Sequence, residues 1–394
     1  MRIRLQSKIT KNIGKTSILQ QTAFWARVKR KHGIESKAFD ITVKASDVYT
    51  ASNCRNDIQD DLLVFFPRID HDSKIGYVPY GPTIVPSPEN QGLFLEELSE
   101  SLRPHLPPEC MMLRYDLLWE SLWAKDAFYY TDNGDWMGPP AKPNQEIRLN
   151  FDTQKWNLKK PNTNVLPADT IFIDLKKDED RLLQEMKSKT RYNVRLAYRK
   201  GVRVRTADIN DLDIWYKLYQ ETCTRNHIYL DRIEYFHAVL TTTAADARSP
   251  AEVELLIAEM NSIPLAAMFL VFSHHKATYL YGASSSTCRN YMATYALQWE
   301  AIKRAKKRGC TEYDMFGVSP LPDSSHPLYG LYRFKKGFGG KLYHRMGCWD
   351  YPFNPGEYQR FLTAEMNSSG YHSSYDSTGE CNNAIKNSMD HTIQ

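Results

Sequence analysis

The chain has 394 residues, 42% of them hydrophobic and 25% charged, with a formal net charge of +5. That length predicts two domains, the composition is that of an ordinary soluble protein, and so mild a charge does not by itself point to nucleic acid. Seven cysteines (Cys54, Cys110, Cys223, Cys288, Cys310, Cys348 and Cys381) show no CxxC spacing, which argues against a zinc site and a disulfide framework and for reduced thiols in the cytosol.

The start of the chain, Met1-Arg2-Ile3-Arg4-Leu5, has no apolar h-region, so no signal peptide is expected. Ile18 to Arg30 reads as the start of a helix, with Phe24, Trp25 and Val28 as its apolar face and Arg27, Lys29, Arg30 and Lys31 as its basic one. On these residues alone Lys29 is a solvated charge. Ala38 to Val43 and Leu62 to Phe66 look like strands, and Tyr77-Val78-Pro79-Tyr80-Gly81-Pro82 is a strand ending in a Gly-Pro turn. Asn90 to Arg103 is helical, with Leu93, Phe94, Leu98 and Leu102 on one face and Pro104 to end it. Cys110 to Asp116 follows as a buried strand with a carboxylate at its end. Tyr129 to Pro167 is irregular, rich in Asn, Pro, Asp and Gly, with a strand expected over Gln145 to Phe151.

A second series begins with a strand at Thr170 to Leu175 and a helix from Glu179 to Met186. In the basic run that follows, Lys187, Arg191, Arg195 and Arg199 stand four apart, so a helix there carries a cationic ridge. Like charges at that spacing repel by roughly 0.2–0.5 kcal/mol per pair. Two readings stand side by side: a polyanion lies along the ridge, or the ridge is a solvated face with acidic neighbours. Leu212 to Asn226 and Ile233 to Thr241 are further helices, and Val253 to Met260 and Ile263 to Phe272 form a hairpin around Asn261-Ser262. The run Pro264 to Phe272, the longest apolar one, is too short to span a bilayer.

The most informative stretch is Ala277 to Gly340. An alternating strand, Thr278-Tyr279-Leu280-Tyr281, breaks at Gly282 into a hydroxyl-rich loop, Ser284 to Thr287, expected to cap a helix from Asn290 to Arg308. Gly309 takes the left-handed position beyond that helix, and a strand from Glu312 to Phe316 follows. Tyr80-Gly81, a helix and a strand ending in Asp116 mirror Tyr281-Gly282, a helix and a strand containing Asp314. This pattern predicts an α/β (α+β) fold of two tandem acetyltransferase-like, GNAT-like domains. From Asn367 onward the chain is polar and a disordered tail is expected.

The histidines show no ligand spacing, so no metal is expected, and there is neither a Walker A loop nor GxGxxG. An acyl-CoA enzyme would place a glycine-rich turn before the long helix; here the chain reads Arg289-Asn290-Tyr291-Met292-Ala293. An acyl-transfer scaffold with a different acyl carrier, and no cofactor, is the reading.

Four runs now carry a family resemblance: Phe24-Trp25-Ala26-Arg27-Val28-Lys29; Ser188-Lys189-Thr190-Arg191-Tyr192-Asn193 with Gly201-Val202; Tyr279 to Ser284; and Tyr332-Arg333-Phe334-Lys335 through Gly340. In that order, from about Ser17 to Leu362, they resemble the Fem family of non-ribosomal peptidyl transferases, in its compact form without a helical arm. The resemblance implies an aminoacyltransferase that draws on aminoacyl-tRNA. It implies an acceptor amine on the stem peptide of a peptidoglycan precursor, UDP-MurNAc-pentapeptide or lipid II. It further implies a cytoplasmic monomer, with peripheral membrane contact left open. The first domain would be 1–165 with 344–365 and would bind the acceptor; the second, 166–343, would face the tRNA; the tail would be 366–394.

Carried over by position, Lys29 matches a lysine holding the acceptor's diphosphate. Arg232 stands near an arginine that does the same, with Asp231 one residue away as the alternative. Tyr235, Tyr281 and Gly282 match the acceptor site, Asp116 a carboxylate that is either a base or a positioning group, and Phe334-Lys335 a pair at the ester. Lys335 also stands on physical grounds, because a fixed ammonium stabilises the tetrahedral anion formed when an amine attacks an ester. Lys187, Arg191, Arg195 and Arg199 become a tRNA cradle. Two alternatives remain: an acyl-CoA-dependent N-acyltransferase, and a non-catalytic RNA-binding protein on the same fold.

Overall fold

A computed structural model describes residues 1–50, 56–226, 228–321 and 329–368. The chain divides into two compact units, one of Met1–Gly14, Gln20–Ala168 and residues 344–368, the other of Lys15–Leu19 and Asp169–Tyr343.

The first unit contains β1 (Ile3–Lys8), α1 (Ala23–Lys31), β2 (Glu35–Lys44), α2 (Ala45–Val48), β3 (Asp57–Phe66), β4 (Lys74–Pro79), α3 (Gln91–Leu102), β5 (Cys110–Glu120) and α4 (Lys142–Asn150). The second contains β6 (Asp169–Asp174), α5 (Glu179–Glu185), α6 (Ser188–Arg199), β7 (Arg203–Ala207), α7 (Leu212–Asn226), α8 (Ile233–Thr241), β8 (Ala251–Met260), β9 (Ile263–Ser273), β10 (Lys276–Ser284), α9 (Ala293–Lys307), β11 (Glu312–Asp314) and α10 (Tyr329–Lys336). The chain then returns to the first unit through β12 (Lys341–Pro352) and α11 (Pro355–Ser368).

The repeat of pattern is a repeat of topology. Strands of the first unit lie in the order β1-β2-β3-β4-β5-β12, and those of the second in the order β7-β8-β9-β10-β11-β6. In each series the first three pairings are antiparallel, the fourth is parallel and the fifth antiparallel. A parallel pair needs a crossover, which α3 and α9 provide. Asp116 stands opposite Pro79 in the first crossover and Asp314 opposite Thr278 in the second. The two units are thus tandem acetyltransferase-like α/β folds.

Local chemistry explains most element ends. Thr22 caps α1, its hydroxyl accepting from the Trp25 N–H at 3.1 Å. Gly309 takes φ +78° beyond α9. Asn261 and Ser262 both lie in the left-handed region (φ 51° and 63°), as a two-residue hairpin turn requires.

Four expectations are corrected. Residues 145–151 fall in and just after helix α4 instead of a strand: Pro143 suits its first turn, and Gln145 and Leu149, one turn apart, are its buried side. Asp116 lies in the middle of β5 and not at its end. The hydroxyl loop does not cap α9, whose N-cap is Met292 without a side-chain cap; Ser285 Oγ and the Ser286 N–H both donate to Glu221. Helix α11 runs to Ser368, so the expected tail is helical over 366–368, and 369–394 lies outside the described residues.

A buried ion-pair triad fastens α11. Arg114 on β5 is fully buried and donates to Asp350 on β12 at 2.7 and 2.8 Å and to Glu365 on α11 at 2.6 Å. No helix among the described residues is long and apolar enough to cross a membrane.

Candidate functional site

Lys29 is not a solvated charge. It is 2% exposed on the last turn of α1, its ammonium 5.2 Å from the centroid of the Trp25 ring. With Trp25, Phe65, Tyr77, Pro79 and Leu166 it lines a recess in the first unit. Gln21 holds the entry of α1 in place, donating to the Pro79 carbonyl and accepting from the Leu63 N–H, both at 2.8 Å. A buried ammonium beside an aromatic face is costly unless it has partners, which sets Lys29 apart from the exposed lysines around it.

Asp116 stands behind that wall. It is 1% exposed, and its Oδ2 accepts from the Tyr77 hydroxyl at 2.5 Å and from the Leu166 N–H at 2.9 Å. Its Oδ1 accepts from the Cys348 thiol at 2.7 Å. Burial raises its pKa, and these three hydrogen bonds offset only part of that rise. Two of the three donors, Tyr77 and Leu166, themselves line the Lys29 recess. Tyr77 is not legible in the sequence, because a tyrosine in an apolar strand carries no signal of its own.

In the second unit, Lys335 is 3% exposed near the end of α10. Its ammonium donates to the Gly317 carbonyl at 2.7 Å and the Phe316 carbonyl at 3.2 Å, and sits 5.1 Å from the centre of the Tyr279 ring. Phe316 adopts a left-handed backbone (φ 58°) as the chain leaves β11, a conformation that disfavours side chains and persists only where the surroundings enforce it. Burial lowers the Lys335 pKa to about 7, and nearby Asp314 offsets part of that shift. Phe334 packs edge-on against Tyr295 and Phe338, at 5.0 and 5.4 Å between centroids.

Gly282 serves this same arrangement. A Cβ there would lie 1.6 Å from the Tyr279 hydroxyl, so the absent side chain is what lets the Tyr279 ring reach Lys335. Simple alternation would put Tyr279 and Tyr281 on one face of β10. A bulge between them shifts the register, so that Tyr279 pairs with Leu270 and Tyr281 with Phe269. Tyr281 therefore joins the opposite face, where its hydroxyl meets that of Tyr235 at 2.8 Å among Phe236 and Phe269. Lys335 and the Tyr235–Tyr281 pair are not gathered in one cluster. Arg232 is exposed, whereas Asp231 is 2% exposed and its charge, after burial, helps raise the pKa of both tyrosines.

The cationic ridge is interrupted. Helix α6 starts at Ser188, leaving Lys187 as its N-cap residue, and the Arg191 guanidinium turns back to the carbonyls of Leu183 and Gln184 at 3.0 and 3.1 Å. Arg191 thus satisfies the last carbonyls of α5. Arg195 and Arg199 remain exposed. At the place of the missing glycine turn, Cys288 and Met292 adopt left-handed φ (54° and 57°) with side chains present.

Residues 10–250 and 241–365 match the model of the FemAB family. A lipid II:glycine glycyltransferase of Staphylococcus epidermidis is 26% identical over 247 residues, 48% of this chain and 59% of that protein. One from Staphylococcus aureus is 25% identical over 257 residues, 50% of this chain and 61% of that protein. The chain thus matches about three fifths of the length of these curated relatives. The crystal structure of FemX superposes with a TM-score of 0.67 at 19% identity, over 91% of this chain and 100% of that one, a likeness of fold. With the family model matched over most of its length, the chain belongs to the FemAB family.

Proposed function

We propose that this protein is an aminoacyltransferase that moves an amino acid from aminoacyl-tRNA to the stem-peptide amine of a peptidoglycan precursor, lipid II or its UDP-linked counterpart. It would work as a monomer at the cytoplasmic face of the membrane, the first unit holding the acceptor and the second the charged RNA. Family membership and relatives described as lipid II:glycine glycyltransferases support the reaction class. The observation that carries the reading is Lys335. An ammonium has three N–H donors, two of which meet the Phe316 and Gly317 carbonyls, so one is left for a substrate oxygen.

In the reaction, the acceptor nitrogen bonds to the ester carbonyl carbon and the bond from that carbon to the ribose 3′ oxygen breaks. The proton lost by the amine ends on that oxygen. The third N–H of Lys335 meets the carbonyl oxygen as negative charge develops on it, a contribution of about 3 kcal/mol for one well-placed donor. A lysine whose acidity lies near neutrality can also hand a proton to the leaving oxygen and recover it from the amine. The ester is already activated, so the step asks for neither a metal nor a nucleotide cofactor. Lys29 would meet the acceptor's diphosphate, and Asp116 would act as a positioning residue by fixing Tyr77 and Leu166. Arg195 and Arg199 would contact RNA phosphates.

The test is mass spectrometry of muropeptides from cells with and without this protein. The reading predicts a bridge shortened by whole amino-acid residues in its absence; an unchanged muropeptide profile would overturn it.

A further inference from the structure

The outer face of α6 combines cations with exposed aromatics. Buried Thr190, Asn193, Val194 and Ala197 mark its inner side, so its outer side is centred on Tyr192, Arg195 and Arg199. Tyr192 is 55% exposed, and the Arg199 guanidinium lies over one side of its ring at 5.6 Å. Elsewhere in the molecule arginines are drawn to carboxylates: Arg205 to Asp211 and Glu259, Arg304 to Glu254 and Glu300. Among the described residues, neither Arg195 nor Arg199 enters an ion pair.

The position of the helix adds proximity. The Lys187 N–H donates to the Gly337 carbonyl at 2.8 Å, and a Cβ on Gly337 would lie 2.2 Å from Thr190 Oγ1. The start of α6 therefore abuts the chain two residues beyond Lys335 through its buried side, and Tyr192 stands about one turn further along on the outer side.

We propose that Tyr192 is a stacking platform for an unpaired base at the 3′ end of the donor RNA, with Arg195 on the adjoining phosphate. This rests on the aminoacyl-tRNA reading above and adds to it the part of the RNA that the helix reads. An aromatic ring accepts any base on its face, and charge-unpaired arginines beside it hold the backbone. Arg199 on one side of the ring restricts its rotamers, so less freedom is lost when a base covers the other side.

The test titrates the full chain with an RNA hairpin bearing four unpaired 3′ nucleotides and with the same hairpin made blunt. Wild type is expected to bind the overhang RNA more tightly. Tyr192→Ala should lose about 5- to 100-fold on the overhang RNA and little on the blunt one, whereas Tyr192→Phe stays within about 2-fold of wild type. Arg195→Gln should weaken the overhang RNA and lower its salt slope by about one. Equal losses for Tyr192→Ala and Tyr192→Phe, or no preference for the overhang, would overturn the stacking role and leave the donor assignment standing. Binding of neither RNA by wild type would remove both. Loss of binding to phosphatidylglycerol vesicles in Tyr192→Ala, with RNA affinity unchanged, would reassign the face to a membrane and end the proposal.

Discussion

Burial sets the acidity of Lys335. Its pKa in the fold lies near 7 against 10.5 for an ordinary lysine, so between those values the unfolded chain holds a proton that the native one has released. Stability therefore rises with pH across that window, and below about 7 the full cost of the buried charge is present. Denaturant titrations of wild type and Lys335→Met at pH 6 and pH 9 should show wild type gaining stability relative to the variant at the higher pH. An identical difference at both would mean that the ammonium is not held as described. Asp116 gives a second test at this scale. It is 1% exposed with three donors on it, which suits a residue that fixes the wall of the Lys29 recess. Asp116→Asn should raise KM for the acceptor several-fold with a smaller change in kcat, since the amide cannot accept all three hydrogen bonds. A collapse of kcat with KM unchanged would instead make it the base.

Among the elements, α6 separates two jobs that one spacing seemed to unite. Arg191 closes the end of α5, while Arg195 points outward. Arg191→Gln should therefore cost about 1 kcal/mol of stability with RNA affinity nearly kept, and Arg195→Gln should do the reverse. Thermal melts beside RNA titrations check this; parallel effects of the two substitutions would show that the ridge acts as one. The four-residue spacing was legible in the sequence because helical period is a local property. The turn-back of Arg191 was not, since it depends on where α5 ends in space. The bulge in β10 is a similar case: Tyr279 and Tyr281 read as one face, and a single register shift sends them to opposite sides. Residues 145–151 read as strand because a short run with few apolar residues fits either period; Pro143, in the first turn of α4, is the local cue for a helix start.

At the scale of the molecule, the doubled α/β architecture was readable because each crossover repeats the same order of strand end, helix and carboxylate-bearing strand. That order follows from chain-local patterns, whereas burial of Lys29 does not: an amphipathic helix with a basic end reads as solvated until β3 and β4 are seen to close over it. The setting of Lys335 likewise lies in contacts to Phe316 and Gly317, nearly twenty residues back in the chain. The central claim is that this scaffold moves an aminoacyl group from RNA to a muropeptide amine with Lys335 at the ester. The most direct measurement is transfer of a radiolabelled amino acid from charged tRNA to lipid II or UDP-MurNAc-pentapeptide by the purified protein. The account predicts label on the muropeptide with wild type and a rate lower by about 10²–10³-fold with Lys335→Met. Transfer at an equal rate by Lys335→Met, or acylation of the amine from acyl-CoA and none from any charged tRNA, would contradict it.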